Sequence, residues 1–538
     1  MNDSSEDKSG NDPLSEIGLL GLCNTPPVFT LANDVLAYIF LINATRSDCQ
    51  CVERAATTLA SSQVCTTWRS VALGYPTLWN CIIDYSNDSL DWIDELLRRS
   101  DPSLFDFGSR VRPLQVLRVS DQRLRMLELV FNHSSRLRTF SLQTPIANWE
   151  LVRSRFLQKP APNLEFIDFC ILFDDGRVFT DPLFDNHAPS LRYFHLRRCA
   201  VDFTSPVLTL LTELYVQQIT LLNAAPTITA WLHLLGKMPF LRRITIIDAI
   251  SDVITQTEFP IIHLVHLDRL SVEGGFHESI TLINQLITPP SCGLRLRCNH
   301  ARFGPEQKML WTMIDKKLDF WEKDTPHRRF IANLNEESFA IGNLVNINTV
   351  WEVSEAEELE YNRILPLDPL LTVSLRSHTS DDAISLFLSL FGLFERTFST
   401  TTYLTMWMDY RGVNGLEVFH PLVEHFHSFV NLETLGLAND SHSYLFPLLQ
   451  RISPPGSVLL PVLHTVYFIN AYFRRNSESL TPLAAFLQWR REQGFPIRKV
   501  DIYESRVDRN FVLSQLGEVE VALDYNDSDP DTGEEEGN

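Results

Sequence analysis

Residues 191 to 199 read LRYFHLRRC, and how this stretch is read decides the fold. Leu191, Phe194 and Leu196 are apolar at the first, fourth and sixth places. His195 and Arg197 alternate with them, so from Phe194 onward one side of the chain is greasy and the other polar, as in a strand with one buried face. The same spacing recurs outward in both directions: Leu114/Leu117/Val119, Leu137/Phe140/Leu142, Leu164/Ile167/Phe169, Leu211/Leu214/Val216, Leu241/Ile244/Ile246 and Leu267/Leu270/Val272, at intervals of 20 to 30 residues. CGLRLRCNH (292–300) supplies a further strand. Leu432/Leu435/Leu437, Leu463/Val466/Phe468 and Ile497/Val500/Ile502 continue the pattern at intervals of 31 and 34. One such unit cannot bury its own apolar side, so neighbouring units must stack.

Helical segments separate the strands. In ITAWLHLLG, Ile228, Trp231, Leu232 and Leu235 share one face and Gly236 is placed to cap the end. HESITLINQLI, DDAISLFLSLFGLF and TPLAAFLQWRREQG read the same way, the last with Thr481 as N-cap and Pro482 in the first helical position. A short strand followed by a helix, repeated, predicts parallel strands on one side and helices on the other. Residues 301–365 break the register: a long helix in PEQKMLWTMIDKKLDFWEKD precedes the strand-like RRFIANL and NTVWEV and the acidic EAEELE. That stretch is an irregular insertion or one expanded repeat.

The period resembles that of leucine-rich repeat proteins, roughly 20 to 29 residues. The asparagine or cysteine that closes the family's L-x-x-L-x-L-x-x-N/C motif is scarce, with only Cys199 and Asn299 in place in the first half. A loose horseshoe is therefore expected in place of a strict one.

Ahead of the array, TLANDVLAYIFLI (30–42) carries Val35, Leu36, Ile39 and Phe40 at helical spacing, with Asn33 or Asp34 as N-cap. ERAATTLASSQVCTTWRSVAL then predicts a second helical stretch with Val64, Trp68 and Val71 on one stripe, stopped by Gly74 and Pro76. Leu31, Asp34-Val35-Leu36, Ile39-Phe40, Val64-Cys65, Trp68-Arg69, Ala72 and Leu78-Trp79 together resemble the F-box, and SQVCTTWRSVALGYPTLW is particularly similar to F-box proteins of mushroom-forming fungi. The likeness covers residues 26–85. It implies a three-helix module that inserts into the Skp-type adaptor of a cullin-RING ubiquitin ligase, with Leu31, Val35, Leu36, Ile39, Phe40, Val64, Trp68 and Trp79 packing on the adaptor. Where the family usually has Leu-Pro, this chain has Leu31-Ala32, which removes a residue that presets the first-turn φ.

Composition narrows the partners. The 538 residues carry a net charge of −21, which disfavours non-specific contact with nucleic acid or an anionic membrane surface. Residues 1–25 hold five acids against Lys8, and DYNDSDPDTGEEEGN (524–538) holds seven acids and no base, so both tails are expected to be disordered. Nine cysteines without a CxxC pair read as free thiols, and no apolar run reaches the roughly 18 residues of a membrane span. The expected setting is the cytoplasm or nucleus.

The expected fold class is α/β: a small all-α F-box-like module followed by a leucine-rich-repeat-like αβ solenoid with its parallel strands on the concave face. Its parts are an acidic tail (1–25), the module (26–85), a linker (86–110), the first part of the array (111–300), the insertion (301–365), the second part (366–523) and the acidic C-terminal tail (524–538). Side chains alternating with the apolar rows would present a target-binding surface that includes Ser141, Asp168, Cys170, His195, Arg197, Tyr215, Gln217, Thr245, Ser271 and Glu273.

Phosphate-binding glycine loops and the Gly-x-Ser-x-Gly nucleophile motif do not occur, and no catalytic residue, cofactor or metal is expected. His420, Glu424, His425 and His427 lack the i, i+4 histidine pair with adjacent glutamate of zinc peptidases, and Pro530 and Thr532 spoil a calcium-loop reading of Asp527, Asp529 and Asp531. The expected role is that of a substrate receptor of a ubiquitin ligase, with an adaptor at one end and an unknown target protein at the other. The alternative is a repeat scaffold that no longer engages a ligase.

Overall fold

The computed structural model describes residues 31–524 apart from 46–50, 109–113, 116–120, 173–176, 220–224, 252–257, 325–328, 336–337, 344–370, 410–414, 439–440, 454–457, 470–471, 474–479, 504–505, 508–515 and 517–518. The acidic tail 1–25, residues 525–538 of the C-terminal one, NTVWEV and EAEELE lie outside the described residues. The chain divides into two compact units, residues 1–105 and 106–538.

The first unit is helical: α1 Asn33–Thr45, α2 Cys51–Ser61, α3 Thr66–Leu73, α4 Pro76–Asn80 and α5 Leu90–Arg99. The single second helix expected over ERAATTLASSQVCTTWRSVAL is split into α2 and α3. Cys65 supplies the break, because its extended backbone lets Sγ accept from the Trp68 amide at 3.5 Å as an N-cap. Gly74 and Pro76 then end α3 and start α4. The stretch 86–110, expected to be a linker, contains α5, whose Leu96 packs with Leu36, Phe40, Ala44, Ala72, Leu78, Trp79 and Ile82 in one core. Arg98 and Arg99 in the last turn of α5 both reach back to Glu95 and complement the helix dipole.

The second unit is a mixed α/β structure built on one large, mostly parallel sheet, with seventeen strands among the described residues. In chain order these are β1 Phe105–Phe107, β2 Leu114–Gln115, β3 Leu137–Pro145, β4 Phe166–Leu172, β5 Tyr193–Arg197, β6 Glu213–Gln217, β7 Arg243–Ile247, β8 Arg269–Gly275, β9 Gly293–Ala301, β10 Arg329–Asn335, β11 Ser338–Asn343, β12 Leu371–Ser377, β13 Tyr403–Asp409, β14 Thr434–Ala438, β15 Thr465–Ile469, β16 Lys499–Tyr503 and β17 Glu520–Asp524. From β3 to β9 each strand pairs in parallel with the next. The register joins the expected apolar positions into two rows, Phe140, Ile167, Phe194, Leu214, Ile244, Leu270, Leu294 and Leu142, Phe169, Leu196, Val216, Ile246, Val272, Leu296. All of these side chains are buried. The leading leucine of each unit has its own recurrent role: the amides of Leu164, Leu191, Leu211, Leu241 and Leu267 each donate to the carbonyl three residues back, which closes a turn just before the strand.

Backbone bonds hold the bend both where the motif cysteine is present, at Cys199, and where it is lacking. Two residues past the second row, Arg198, Gln218 and Asp248 adopt φ of 56°, 55° and 45°. Their amides donate across to the Gln217, Ile247 and Glu273 carbonyls at 2.8–2.9 Å, so the ladder itself pins the bend. Gly274 stands at the corresponding place in β8 with φ 150°.

After residue 301 the regular succession of parallel neighbours is interrupted. After β9 and the long helix Pro305–Asp324, the chain enters β10 three strand places further along the sheet, turns back through β11 antiparallel to it, and returns as β12 beside β9. It then crosses to β13, which pairs in parallel with the far side of β10. The insertion is thus a three-strand meander running against the direction of the array, and β13 to β17 resume parallel pairing beyond it. Helices Ile228–Leu235, Phe276–Asn284 and Ser380–Leu393 form where predicted, with Thr227 and Thr379 as N-caps. Helix Leu480–Glu492 starts one residue before Thr481, which therefore is not its N-cap. Its Arg490 is buried and donates to the Leu459, Leu460 and Leu463 carbonyls at 2.9–3.1 Å. Burial pushes this guanidinium down to about 10.

Candidate functional site

Of the residues expected on an adaptor-binding surface, Leu36, Phe40 and Trp79 lie in the core of the helical unit. That corrects the expectation for these three, since a unit of this size has few other large side chains with which to close its interior. The Trp79 indole N–H donates to the Ala72 carbonyl at 2.8 Å, and the Arg99 guanidinium lies 4.7 Å above its ring. Trp68 is half-buried against the Phe40 ring at 5.2 Å, and its indole N–H has no hydrogen-bond partner among the described residues.

Leu31, Val35, Ile39 and Val64 are exposed. The structure adds Tyr38, 62% exposed, and Ile42, 47% exposed. Val35, Tyr38, Ile39 and Ile42 are spaced three, four and seven residues apart and so share one side of α1, opposite the Leu36/Phe40 side. Tyr38 and Ile42 were legible in principle: VLAYIFLI is apolar all the way round, and a helix apolar all round has more than one face to cover.

The expected target-binding residues divide along the sheet. Asp168, His195, Arg197 and Gln217 are buried, with Asp168 only 1% and His195 2% exposed, as are Ser141 and Cys170. Their burial corrects the expectation of an exposed row, and the cause is mutual cover. Rungs about 4.8 Å apart place Ser141, Asp168, His195 and Tyr215 side by side. Arg197 donates to Asp168 at 3.0 Å, Ser141 Oγ lies 3.2 Å from the same carboxylate, and His195 Nε2 is 2.9 Å from Glu213. Burial alone would pull the Arg197 guanidinium down, but Asp168, together with Cys170 and Tyr215, more than offsets it and holds Arg197 above its ordinary value. Tyr215, Thr245, Ser271 and Glu273 are half-buried, so this side of the sheet opens from β6 towards β9.

The histidine cluster is a set of surface pairs. Glu395 accepts from Ser428 at 2.9 Å, has His425 Nδ1 at 3.1 Å, and lies 3.6 Å from His427, while His420 and Glu424 stand 3.7 Å apart in the open. Among the described residues no group of three or more His, Cys, Asp or Glu is arranged to hold a metal ion, and no helix is long and apolar enough to cross a membrane. No protein-family model matches the chain, and no curated protein is significantly similar to it.

Proposed function

We propose that this chain is a substrate receptor of a cullin-RING ubiquitin ligase: an F-box-like helical unit holds the Skp-type adaptor, and a leucine-rich-repeat-like solenoid, with parallel strands on its concave face, holds a target protein. The observation that carries the reading is the outward apolar row on α1. Val35, Tyr38, Ile39 and Ile42 stay exposed although the opposite side of the same helix already closes the core. Four large apolar side chains in one row are costly to leave in water, at about 25 cal/mol per Å² of apolar surface, and they have the spacing of a helix that lays a face into a partner's groove. The separateness of the helical unit supports the same reading.

Such a receptor needs no bond-making group of its own. Holding target and ligase on one chain raises the target's effective concentration at the ubiquitin-charged enzyme.

The test is capture of a Skp-type adaptor by the full-length chain, comparing the native sequence with Val35→Asp/Ile39→Asp. Both positions are exposed, so the variant keeps its helical circular dichroism while capture falls at least tenfold, as expected when hot-spot side chains are replaced. Leu36→Asp places a charge in the core and loses both. Undiminished capture by Val35→Asp/Ile39→Asp overturns the assignment of the surface, and no capture by the native chain favours an interaction scaffold outside any ligase.

A further inference from the structure

Strand β17 is paired on one side only. Its register runs along β16, from Glu520 opposite Lys499 to Asp524 opposite Tyr503, and among the described residues no other strand pairs with it. The Glu520 amide donates to the Arg498 carbonyl at 3.1 Å, so the peptide groups of Glu520 point towards β16. Along a parallel ladder alternate residues turn their N–H and C=O to opposite sides. Those of Val521 and Leu523 therefore point to the open side, two donors and two acceptors in a row. Val521 also carries the inward line of Leu435, Val466 and Val500 to this edge and is half-buried, whereas Glu520 and Ala522, on the other side of the sheet, are exposed.

An open row of this kind is a template for a further extended chain. The charge around it selects that chain. Residues 498–538 hold twelve acids against four bases, and 510–538 hold nine acids and no base. The one base on β16, Lys499, lies 2.9 Å from Asp501 on the same strand. Pairing two copies of this chain edge to edge brings like charge against like, and an acidic peptide meets the same repulsion.

We propose that the open edge of β17 takes up a basic, extended segment of a partner protein as one more strand of the sheet. The inference stands apart from the adaptor reading. Backbone bonds to Val521 and Leu523 give attachment, and the side chains that alternate along the segment give selectivity. Its apolar side chains lie beside Val521 and prolong the inward row. Lys or Arg at the alternate places lie about 4.8 Å from Glu520, one strand spacing away, in the field of the acidic stretch.

Fluorescence anisotropy of a labelled peptide of alternating Lys and Val, titrated with the full-length chain, tests this together with hydrogen exchange over residues 519–524. Saturable binding that weakens as salt rises is expected, with added protection of 519–524. The fully N-methylated form of the peptide keeps its charge but loses its backbone donors, and should bind about tenfold or more less tightly. Val521→Pro should weaken binding of the unmodified peptide in the same way, since the amide it removes points away from β16. Should that variant not fold, the methylated peptide asks the same question of the native chain. Absence of saturable binding, equal binding of the methylated peptide or of a Glu/Val peptide, or binding without protection of 519–524 overturns the proposal. Protection there that rises with protein concentration in the absence of peptide assigns the edge to a second copy and overturns it as well. Peptide binding as expected with no adaptor capture sinks the ligase reading and leaves this one standing.

Discussion

Replacing Asp168 by Ala removes one half of a buried ion pair and strands the other. The two charges lie 3.0 Å apart, with Asp168 1% and Arg197 9% exposed. At an effective dielectric of about 20, their attraction is about 5 kcal/mol, much of it offset by the cost of taking both groups out of water. The measurable quantity is therefore the penalty of breaking the pair, about 3–5 kcal/mol, because Arg197 is left charged and buried. Removing both, as Asp168→Ala/Arg197→Met, takes away the stranded charge and costs less than Asp168→Ala alone. Hydrogen exchange followed by mass spectrometry on peptides covering 164–172 and 191–199 gives a local readout. Asp168→Ala should speed exchange of protected amides there about a hundredfold or more, at about 1.4 kcal/mol per factor of ten. The double variant should recover a large part of that protection. Additive losses in the double variant would refute the reasoning that the two groups exist to neutralise one another.

Three other outcomes follow from single sites. Gly436→Ala would place a Cβ inside the space of the Tyr467 ring, which crosses over β14 to stack on Tyr403 and meet Thr405, so the ring must leave and the loss is about 1–3 kcal/mol in urea unfolding; Tyr467→Ala in that background should abolish most of the added cost. Arg98 and Arg99 hold the Glu95 carboxyl down to about 2 from 4.5. Its folded value is depressed, so its support of α5 is present above pH 4.5 and fades as pH falls towards 2, and Glu95→Gln should flatten the acid limb of a helicity titration over that window. Burial pushes the Cys298 thiol up to about 12 and raises Cys199 and Cys292 as well. Alkylation of the folded protein near pH 8, read by peptide mass, should therefore modify half-buried Cys65 and Cys81 well before these three.

The sheet was legible because a parallel array repeats its chemistry. Each L-x-x-L-x-L stretch names its own two inward positions, and the register then only has to line them up, as Leu196 does between Phe169 and Val216. The strands β13 and β17 were missed. Leu404/Met406 and Val521 stand in register with the inward rows of their neighbours, yet they lack the leucine three residues earlier that marked the others. The meander β10–β12 was opaque for a different reason. Its strands look like any others, and the reversal is decided by which edges pair, a long-range fact that periodicity does not carry.

At the surfaces, alternation correctly put Asp168 and His195 on the side away from the core rows. It could not show that Arg197, Ser141 and Glu213 on neighbouring strands would cover them. In α1 the apolar content announced two faces without saying which would be used inside. The Leu36/Phe40 side closes the unit's core, leaving Val35 and Ile39 outward.

The central claim is tested most directly by hydrogen exchange of the full-length chain with and without a saturating Skp-type adaptor. The account predicts added protection in peptides from α1 (33–45) and α3 (66–73), with the amides of β3 to β9 unchanged. Protection confined to the sheet, or none anywhere at adaptor concentrations in the micromolar range, would contradict it.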